Sequence, residues 1–249
     1  MIETETLSPE IRLMRLAFEG VVDIARRSPD LANLAQAHAP ALAAIRRLGE
    51  AHDHSGPASP RAVAEHFDRL AATSPDLAVA AYSFGDPALL ADFTDEVVQI
   101  AAEWTSITGD TLDFGCGAGR VAAALVGRAR SVTGLDVSRE MLGLARVRVP
   151  RAHFVEGDGA TLPFDPASFD LVLAVDSFPF LVQTDTIAPQ LAEIARVLRP
   201  DGRLLVFNWT YGDPAEIEAH IAASPLTLLR GPERPFTRWD ATAFLLARR

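Results

Sequence analysis

Hydrophobic and polar positions follow two different patterns along the chain. In the first 80 or so residues, apolar side chains recur every three or four positions, as Ile11, Met14, Phe18 and Val22 do, which is typical of amphipathic helices. From residue 110 onward, short apolar runs alternate with helical segments. The change predicts a helical N-terminal region, residues 1–80, followed by an α/β domain, residues 81–249.

The N-terminal region divides into several predicted helices. Ser8-Pro9 is typical of a helix start, and a second helical stretch from Leu31 to Leu48 contains Pro40, which should kink or split it. Residues 49–60 are polar and rich in proline and glycine, so they predict a loop, and Ser59-Pro60 opens another helix. We expect this region to cap a binding site or to form a dimer surface or a cover for the sheet.

The α/β domain alternates between helices and strands. A helix starts at Asp86-Pro87 and runs to about Trp104. A turn is predicted at residues 199–202, and two extended runs at the end of the chain, 226–229 and 241–247, predict an antiparallel edge hairpin. The other strands are separated by helices and should be parallel: 110–114, 131–135, 152–155, 170–175 and 203–209. The fold class is therefore α/β, a doubly wound, mostly parallel seven-stranded sheet.

Composition excludes several functions. All 23 basic residues are arginine, so chemistry that needs a lysine, such as a Schiff base or a Walker-type phosphate site, is excluded. The net charge of −10 argues against nucleic-acid and anionic-membrane partners, which are bound by clustered cations. With neither a signal peptide nor an apolar run long enough to cross a bilayer in this sequence, we expect a cytoplasmic protein.

A glycine-rich turn follows the first predicted strand. It comprises Gly115, Cys116, Gly117, Ala118 and Gly119, and a helical pattern begins directly after it. Glycines let a ligand approach the backbone, so this strand–turn–helix unit predicts a nucleotide-like ligand. The dinucleotide pattern G-x-G-x-x-G would require a further glycine where Arg120 stands, which disfavours a nicotinamide cofactor. Cys116 is interpreted as a small residue tolerated in the turn rather than as a nucleophile.

Four aspartates follow or end predicted strands. Asp113, Asp136, Asp158 and Asp176 should meet at the carboxyl edge of the sheet, where open α/β sheets bind their ligands. Several carboxylates there suit a cationic ligand and would repel a pyrophosphate. Each aspartate has an alternative role as a helix cap or turn former.

Five segments together resemble the class I S-adenosylmethionine-dependent methyltransferases, which have a Rossmann-like fold. They occur in the family's order across roughly residues 80–249: 112–120, 134–138 with Met141, 157–164, 168–172 and 197–203. The chain departs from the family at Gly159, where alanine often follows the aspartate. No chemistry-specific run such as asparagine–proline–proline–aromatic follows the fourth strand, which continues as Asp176-Ser177-Phe178-Pro179-Phe180.

The resemblance implies S-adenosylmethionine as cofactor, with S-adenosylhomocysteine as product, and a role for each matching residue. The glycine-rich turn would pass under the methionyl part and the ribose of the cofactor. Two aspartate side chains at strand ends would accept hydrogen bonds, one from the ribose hydroxyls and one from the adenine amino group. An aromatic ring would cover the cofactor carboxylate. The implied contacts are backbone at Gly115, Cys116 and Gly117; ammonium at Asp113; ribose at Asp136; adenine at Val137, Met141, Asp158 and Gly159; the methionyl end at Asp176 and Ser177; and the carboxylate at Tyr82.

The acceptor and the catalytic base are less defined by the sequence. Phe178, Phe180, Trp209 and Tyr211 near the sheet edge favour a small, partly apolar acceptor. Asp176, Tyr211 or a histidine of the first 80 residues could act as base, and none is assigned. The segment His52-Asp53-His54 is interpreted as a polar loop, and no metal is predicted. The alternatives are a cofactor-binding protein without methyl transfer, either a cyclase or a binding module, and a nicotinamide-dependent oxidoreductase. A homodimer is compatible with any of them.

Overall fold

The structure, a computed structural model, describes residues 9–18, 23–43, 59–73, 75–76, 80, 83–209, 215–239 and 241–249. Its strands are β1 (Asp110–Phe114), β2 (Ser131–Asp136), β3 (His153–Glu156), β4 (Phe169–Val175), β5 (Leu198–Phe207), β6 (Leu226–Glu233) and β7 (Ala243–Arg248). Its helices are α1 (Pro9–Phe18), α2 (Ile24–Arg27), α3 (Ala32–Ala37), α4 (Pro60–Thr73), α5 (Pro87–Trp104), α6 (Arg120–Leu125), α7 (Arg139–Arg148), α8 (Phe178–Gln183), α9 (Ile187–Val197) and α10 (Ala215–Ala223).

The seven strands form one sheet in the order β3-β2-β1-β4-β5-β7-β6. β1 to β5 run parallel to one another, whereas β7 is antiparallel to both β5 and β6. The chain moves outward from β1 to β3 and then returns to β4 on the other side of β1. The switch point between β1 and β4 leaves a crevice at their carboxyl ends, which is where open α/β sheets bind ligands. The predicted fold class and edge hairpin are confirmed.

The sheet is buried because both of its faces are covered by helices. Along β4, Leu171 and Leu173 belong to the cluster that packs beneath α5, α6 and α7, whereas Val172 and Ala174 belong to the cluster beneath α9. All four side chains are fully buried. A strand that is apolar at nearly every position, as β4 is apart from Asp170, requires cover on both sides, so its composition accounts for the layered architecture.

The turn predicted at residues 199–202 is wrong, because this segment lies within β5. Leu198 pairs with Phe169 and Arg203 with Leu171, so the register shifts and the intervening residues bulge from the ladder. The Arg199 guanidinium reaches the carboxylates of Asp110 and Asp170 at 2.9 and 2.7 Å. These ion pairs hold the bulged segment against the amino-terminal edge of β1 and β4.

The N-terminal helices make two separate contacts with the domain. A small core of α1 to α3 with residues 39–43 packs Leu13, Leu31 and Leu42 near Phe84, just before α5. The helical run is interrupted at His38, two residues before Pro40, which confirms the predicted split. Helix α4 packs instead on α7, through Leu70 and Ala71. Within the described ranges, no helix is both long and apolar enough to cross a bilayer.

Candidate functional site

The glycine-rich turn lies at the carboxyl end of β1 and is tied to β2. The N–H groups of Gly115 and Cys116 both donate to the Leu135 carbonyl oxygen, at 2.8 and 3.0 Å. Gly115 has a φ of +74°, and a Cβ at this position would overlap the Cβ of Ser177, the second residue after β4. Glycine is therefore required both by the left-handed backbone and by the close approach of the neighbouring segment.

Asp136 joins the end of β2 to the turn. Its Oδ2 accepts a hydrogen bond from the Gly117 N–H and its Oδ1 one from the Ser138 N–H, both at 2.8 Å. Burial raises the pKa of this carboxyl, and the backbone N–H groups of Ser138, Gly117 and Val137 oppose the rise. The side chain is only half-buried. A carboxylate has about four acceptor positions, so Asp136 retains capacity for a ligand hydroxyl.

Asp113 lies inside the domain rather than at its edge. Its side chain is 1% exposed, and Oδ2 accepts a hydrogen bond from the Ala122 N–H of α6 at 2.9 Å. Burial raises the pKa of Asp113 to about 7, although the nearby Arg120 guanidinium opposes the rise. The observed role is to anchor the first turn of α6 beneath the glycine-rich turn, and the contact with a cofactor ammonium group stays a prediction.

Replacing Asp113 with asparagine is expected to remove part of the pH dependence of stability. The raised pKa means that the folded state binds the proton more tightly than the unfolded chain, whose aspartates titrate near pH 4. The stabilisation from this proton is complete below about pH 4 and is lost as the pH rises through about 7. Because asparagine still offers an oxygen to Ala122, the urea midpoint of the variant should fall less than that of the wild type between about pH 5 and pH 8. Parallel profiles for the two proteins would contradict the raised pKa.

Asp158 and Gly159 form the loop after β3. The exposed Asp158 carboxylate accepts hydrogen bonds from the Thr161 and Ala160 N–H groups, both at 2.8 Å, and these N–H donors lower its pKa. The Gly159 carbonyl oxygen accepts a hydrogen bond from the Gln190 side chain of α9 at 2.9 Å. Asp158 therefore acts as a turn former in this structure, and its predicted contact with adenine stays a prediction.

The segment after β4 lies directly beside the glycine-rich turn. The Ser177 hydroxyl donates to the Phe114 carbonyl oxygen at 2.9 Å, which fixes this segment to the end of β1. Asp176 has a φ of +59°, and its Oδ1 accepts a hydrogen bond from the Asn208 Nδ2 after β5 at 2.5 Å. The structure thus brings Asp176, Ser177 and Gly115 together at the switch point, as predicted, and adds Asn208, which the sequence reasoning missed.

Three of the predicted site residues are apolar. Met141 is 1% exposed and packs against Ala118 of the turn, while Val137 is half-buried. Cys116 is 7% exposed, and burial raises the pKa of its thiol well above the ordinary value. A buried thiol with a raised pKa is a poor nucleophile, which agrees with its interpretation as a small packing residue.

Helix α4 lies across the predicted site. The Asp68 Oδ1 accepts hydrogen bonds from the Ser138 hydroxyl at 2.6 Å and the Glu140 N–H at 3.1 Å, at the start of α7. The Phe67 ring packs edge-to-face against Phe180 of α8, with centroids 5.2 Å apart. At its first residue, Pro60, α4 meets the loop at Gly159. The helix therefore contacts the segments after β2, β3 and β4, and the sequence carried no local signal for the role of Asp68.

Three of the sequence predictions fall outside the described residues. They concern Tyr82, the candidate base Tyr211, and the segment His52-Asp53-His54. Among the residues that the structure does describe, no group of three or more histidine, cysteine, aspartate or glutamate side chains is arranged to hold a metal ion.

Comparison with known proteins identifies the central part of the chain. Residues 112–206 match the family model described as a methyltransferase domain. The chain is 39% identical over 126 residues to phthiotriol/phenolphthiotriol dimycocerosates methyltransferase 1 of Mycobacterium ulcerans, covering 47% of this chain and 44% of that protein. It is 37% identical over 124 residues to a fatty-acid O-methyltransferase of Mycolicibacterium smegmatis, covering 47% and 44%. The matched regions thus span about half the length of these relatives or less.

Solved structures support the same fold. Magnesium protoporphyrin IX methyltransferase of Synechocystis, solved with bound S-adenosylmethionine, superposes with a TM-score of 0.58 at 17% identity, covering 78% of this chain and 99% of that one. At this identity, the similarity establishes the fold alone.

Proposed function

We propose that this chain, which carries a class I S-adenosylmethionine-dependent methyltransferase domain, transfers a methyl group from S-adenosylmethionine to a small-molecule acceptor. The observation that carries the proposal is the half-buried Asp136 carboxylate, held by Gly117 at the carboxyl end of β2 with acceptor capacity to spare. Two curated relatives are named as a phthiotriol/phenolphthiotriol dimycocerosates methyltransferase and a fatty-acid O-methyltransferase, which supports a small-molecule acceptor.

The residues at the switch point fit the cofactor chemically. S-Adenosylmethionine has two ribose hydroxyls that donate hydrogen bonds and a sulfonium that carries a positive charge. Asp136 offers carboxylate oxygens to the ribose hydroxyls. Asp176, in the segment beside the glycine-rich turn, supplies a second carboxylate for the positive charge of the sulfonium. Gly115 and Gly117 adopt positive φ values of +74° and +49°, and neither carries a side chain that would stand between the backbone of the turn and a ligand.

The bound cofactor would supply an activated methyl group, and the chain has to align the acceptor with it and exclude water. Alignment can account for a large share of the rate enhancement, since it removes the entropic cost of bringing two reactants together. Phe67 and Phe180 form an apolar pair where α4 meets α8, the helix that follows β4, which favours an acceptor with an apolar body. Helix α4, in the N-terminal region of residues 1–80, would cover the cofactor and exclude water. This assigns that region the role of a cap.

The role of α4 as a cover for the cofactor can be tested by removing the contact between Asp68 and the start of α7. Replacing Asp68 with alanine is expected to raise the dissociation rate of S-adenosylhomocysteine by roughly tenfold, because two hydrogen bonds that hold α4 over the site are lost. Stopped-flow displacement measures this rate. Asp68→Asn is the matched control, since the amide oxygen can still accept from Ser138. Equal rates for the wild type and Asp68→Ala would show that α4 does not limit exchange.

The proposed reaction is tested with methyl-labelled S-adenosylmethionine and purified protein. The panel should contain phenols, aliphatic alcohols, carboxylic acids and amines, and label is expected in a small product. Label found only in protein or nucleic acid would contradict the small-molecule proposal. Tight cofactor binding without transfer to any acceptor would favour the alternative of a cyclase or binding module. A cytoplasmic location and homodimer formation stay predictions from the sequence.

A further inference from the structure

Two residues after neighbouring strands share an unusual backbone conformation. Asp176 follows β4 with a φ of +59°, and Asn208 follows β5 with a φ of +65°. Neither is glycine, so each costs roughly 1 kcal/mol or more in backbone strain. Their backbones are fixed by the sheet, since the Asp176 N–H donates to Phe207 and the Asn208 N–H donates to Thr242. Strain held in place by the surrounding structure is typical of functional sites.

The two side chains form one unit. The Asn208 amide is 8% exposed and donates to the Asp176 Oδ1 at 2.5 Å, whereas the Asp176 side chain is only half-buried. The left-handed backbone at both positions turns consecutive strand ends so that amide and carboxylate meet. Asn208 therefore contributes a buried donor that fixes the orientation of a carboxylate reaching the crevice.

A buried aromatic residue follows each member of the pair along the chain. Phe178, two residues after Asp176, and Trp209, directly after Asn208, are fully buried, and their rings pack at a centroid distance of 4.8 Å. Ser177 contacts Gly115, so the pair also adjoins the glycine-rich turn. A half-buried carboxylate near the glycine-rich turn, whose orientation is fixed by a buried amide, is suited to receive a proton from a reacting group.

We propose that Asn208 is a positioning residue that aims the Asp176 carboxylate at the acceptor, and that the acceptor is a protic nucleophile, an alcohol, phenol, carboxylic acid or amine. The inference rests on the proposed function and deepens it. As the acceptor oxygen or nitrogen bonds to the methyl carbon, the carbon–sulfur bond breaks and its electron pair stays on sulfur. The acceptor proton passes to Asp176, so charge and atoms balance.

The first experiment does not depend on the acceptor. Sinefungin is an analogue of S-adenosylmethionine in which a CH–NH₃⁺ group replaces the methyl-bearing sulfonium, so its ammonium reports a carboxylate near the methyl position. Calorimetric Kd values for sinefungin and S-adenosylhomocysteine are compared in three proteins: wild type, Asp176→Asn and Asn208→Gly. Asparagine at 176 can still accept from Asn208 but carries no charge. Glycine at 208 tolerates the positive φ, so the variant loses the amide donor without backbone strain.

The proposal predicts that the ratio of the two Kd values changes. In Asp176→Asn, sinefungin should weaken about tenfold more than S-adenosylhomocysteine, and in Asn208→Gly about threefold more, with melting temperatures near that of the wild type. An unchanged ratio in both variants would overturn the positioning role. If the wild type binds neither ligand, the proposed function itself fails, which is a distinct result.

The second experiment addresses the acceptor class. In the product found with the labelled-methyl panel, the methyl group should be on oxygen or nitrogen, and Asp176→Asn should lower kcat by roughly a hundredfold, whereas the KM for S-adenosylmethionine should rise by about tenfold at most. A methyl group on carbon or on a thioether, or an unchanged kcat in that variant, would overturn the assignment.

Discussion

Replacing Asp136 with alanine is expected to weaken the binding of S-adenosylhomocysteine by at least about a hundredfold. The carboxylate would accept hydrogen bonds from the ribose hydroxyls, and each hydrogen bond to a charged group contributes about 1.5–3 kcal/mol. The Asp136 carboxylate also accepts hydrogen bonds from the Gly117 and Ser138 N–H groups. Its removal therefore loosens the turn on which the cofactor would lie. Isothermal titration calorimetry measures the change.

Two further variants separate these contributions. Asp136→Asn keeps one oxygen acceptor, so it should retain part of the affinity. Asp158→Ala removes an exposed carboxylate whose hydrogen bonds stay within its own loop, so the loss should be smaller than at Asp136. An affinity in Asp136→Ala within about threefold of the wild type would remove the main support for the site.

Replacing Gly115 with alanine is expected to destabilise the protein by about 3 kcal/mol. The residue has a φ of +74°, which costs a non-glycine residue about 1 kcal/mol, and the new Cβ would overlap the Ser177 Cβ. Forcing an extra methyl into a packed contact costs typically 1–3 kcal/mol. Ser177 cannot easily move away from the new methyl group, because its hydroxyl donates a hydrogen bond to the Phe114 carbonyl oxygen. The melting temperature should fall by roughly 10 °C.

The matched control for this variant is Gly127→Ala. Gly127 has a φ of +93°, but a Cβ there would meet nothing within 4 Å. Its substitution therefore tests backbone strain without a clash, and we expect a loss of about 1 kcal/mol. If the two variants lose equal stability, the close approach of β1 and the segment after β4 does not constrain the turn.

The architecture could be predicted from local patterns because those patterns are set by burial. β4 is apolar at nearly every position since it is covered on both faces, and α5 begins with Asp86 at its N-cap, which bonds Ala88 and Leu89. The bulge at residues 199–202 could not be predicted, because it depends on ion pairs from Arg199 to two strands that are distant in the sequence. Pro200-Asp201-Gly202 looks like a turn only when those partners are ignored.

The candidate site was predictable where a residue's role follows from its place at a strand end. Asp136 and Asp176 end β2 and follow β4, so the topology alone brings them to the same edge. Asp68 and Asn208 were missed because their partners, Ser138 and Asp176, are 70 and 32 residues away along the chain. The backbone strain at Asn208 likewise has no signature in the sequence.

The most direct test of the central claim is a calorimetric titration of the wild-type protein with S-adenosylhomocysteine, and with NAD⁺ in parallel. The account predicts saturable binding of S-adenosylhomocysteine at one site per chain and no heat from NAD⁺, because the carboxylates at the switch point disfavour a pyrophosphate. No heat from S-adenosylhomocysteine, or tighter binding of NAD⁺, would contradict it.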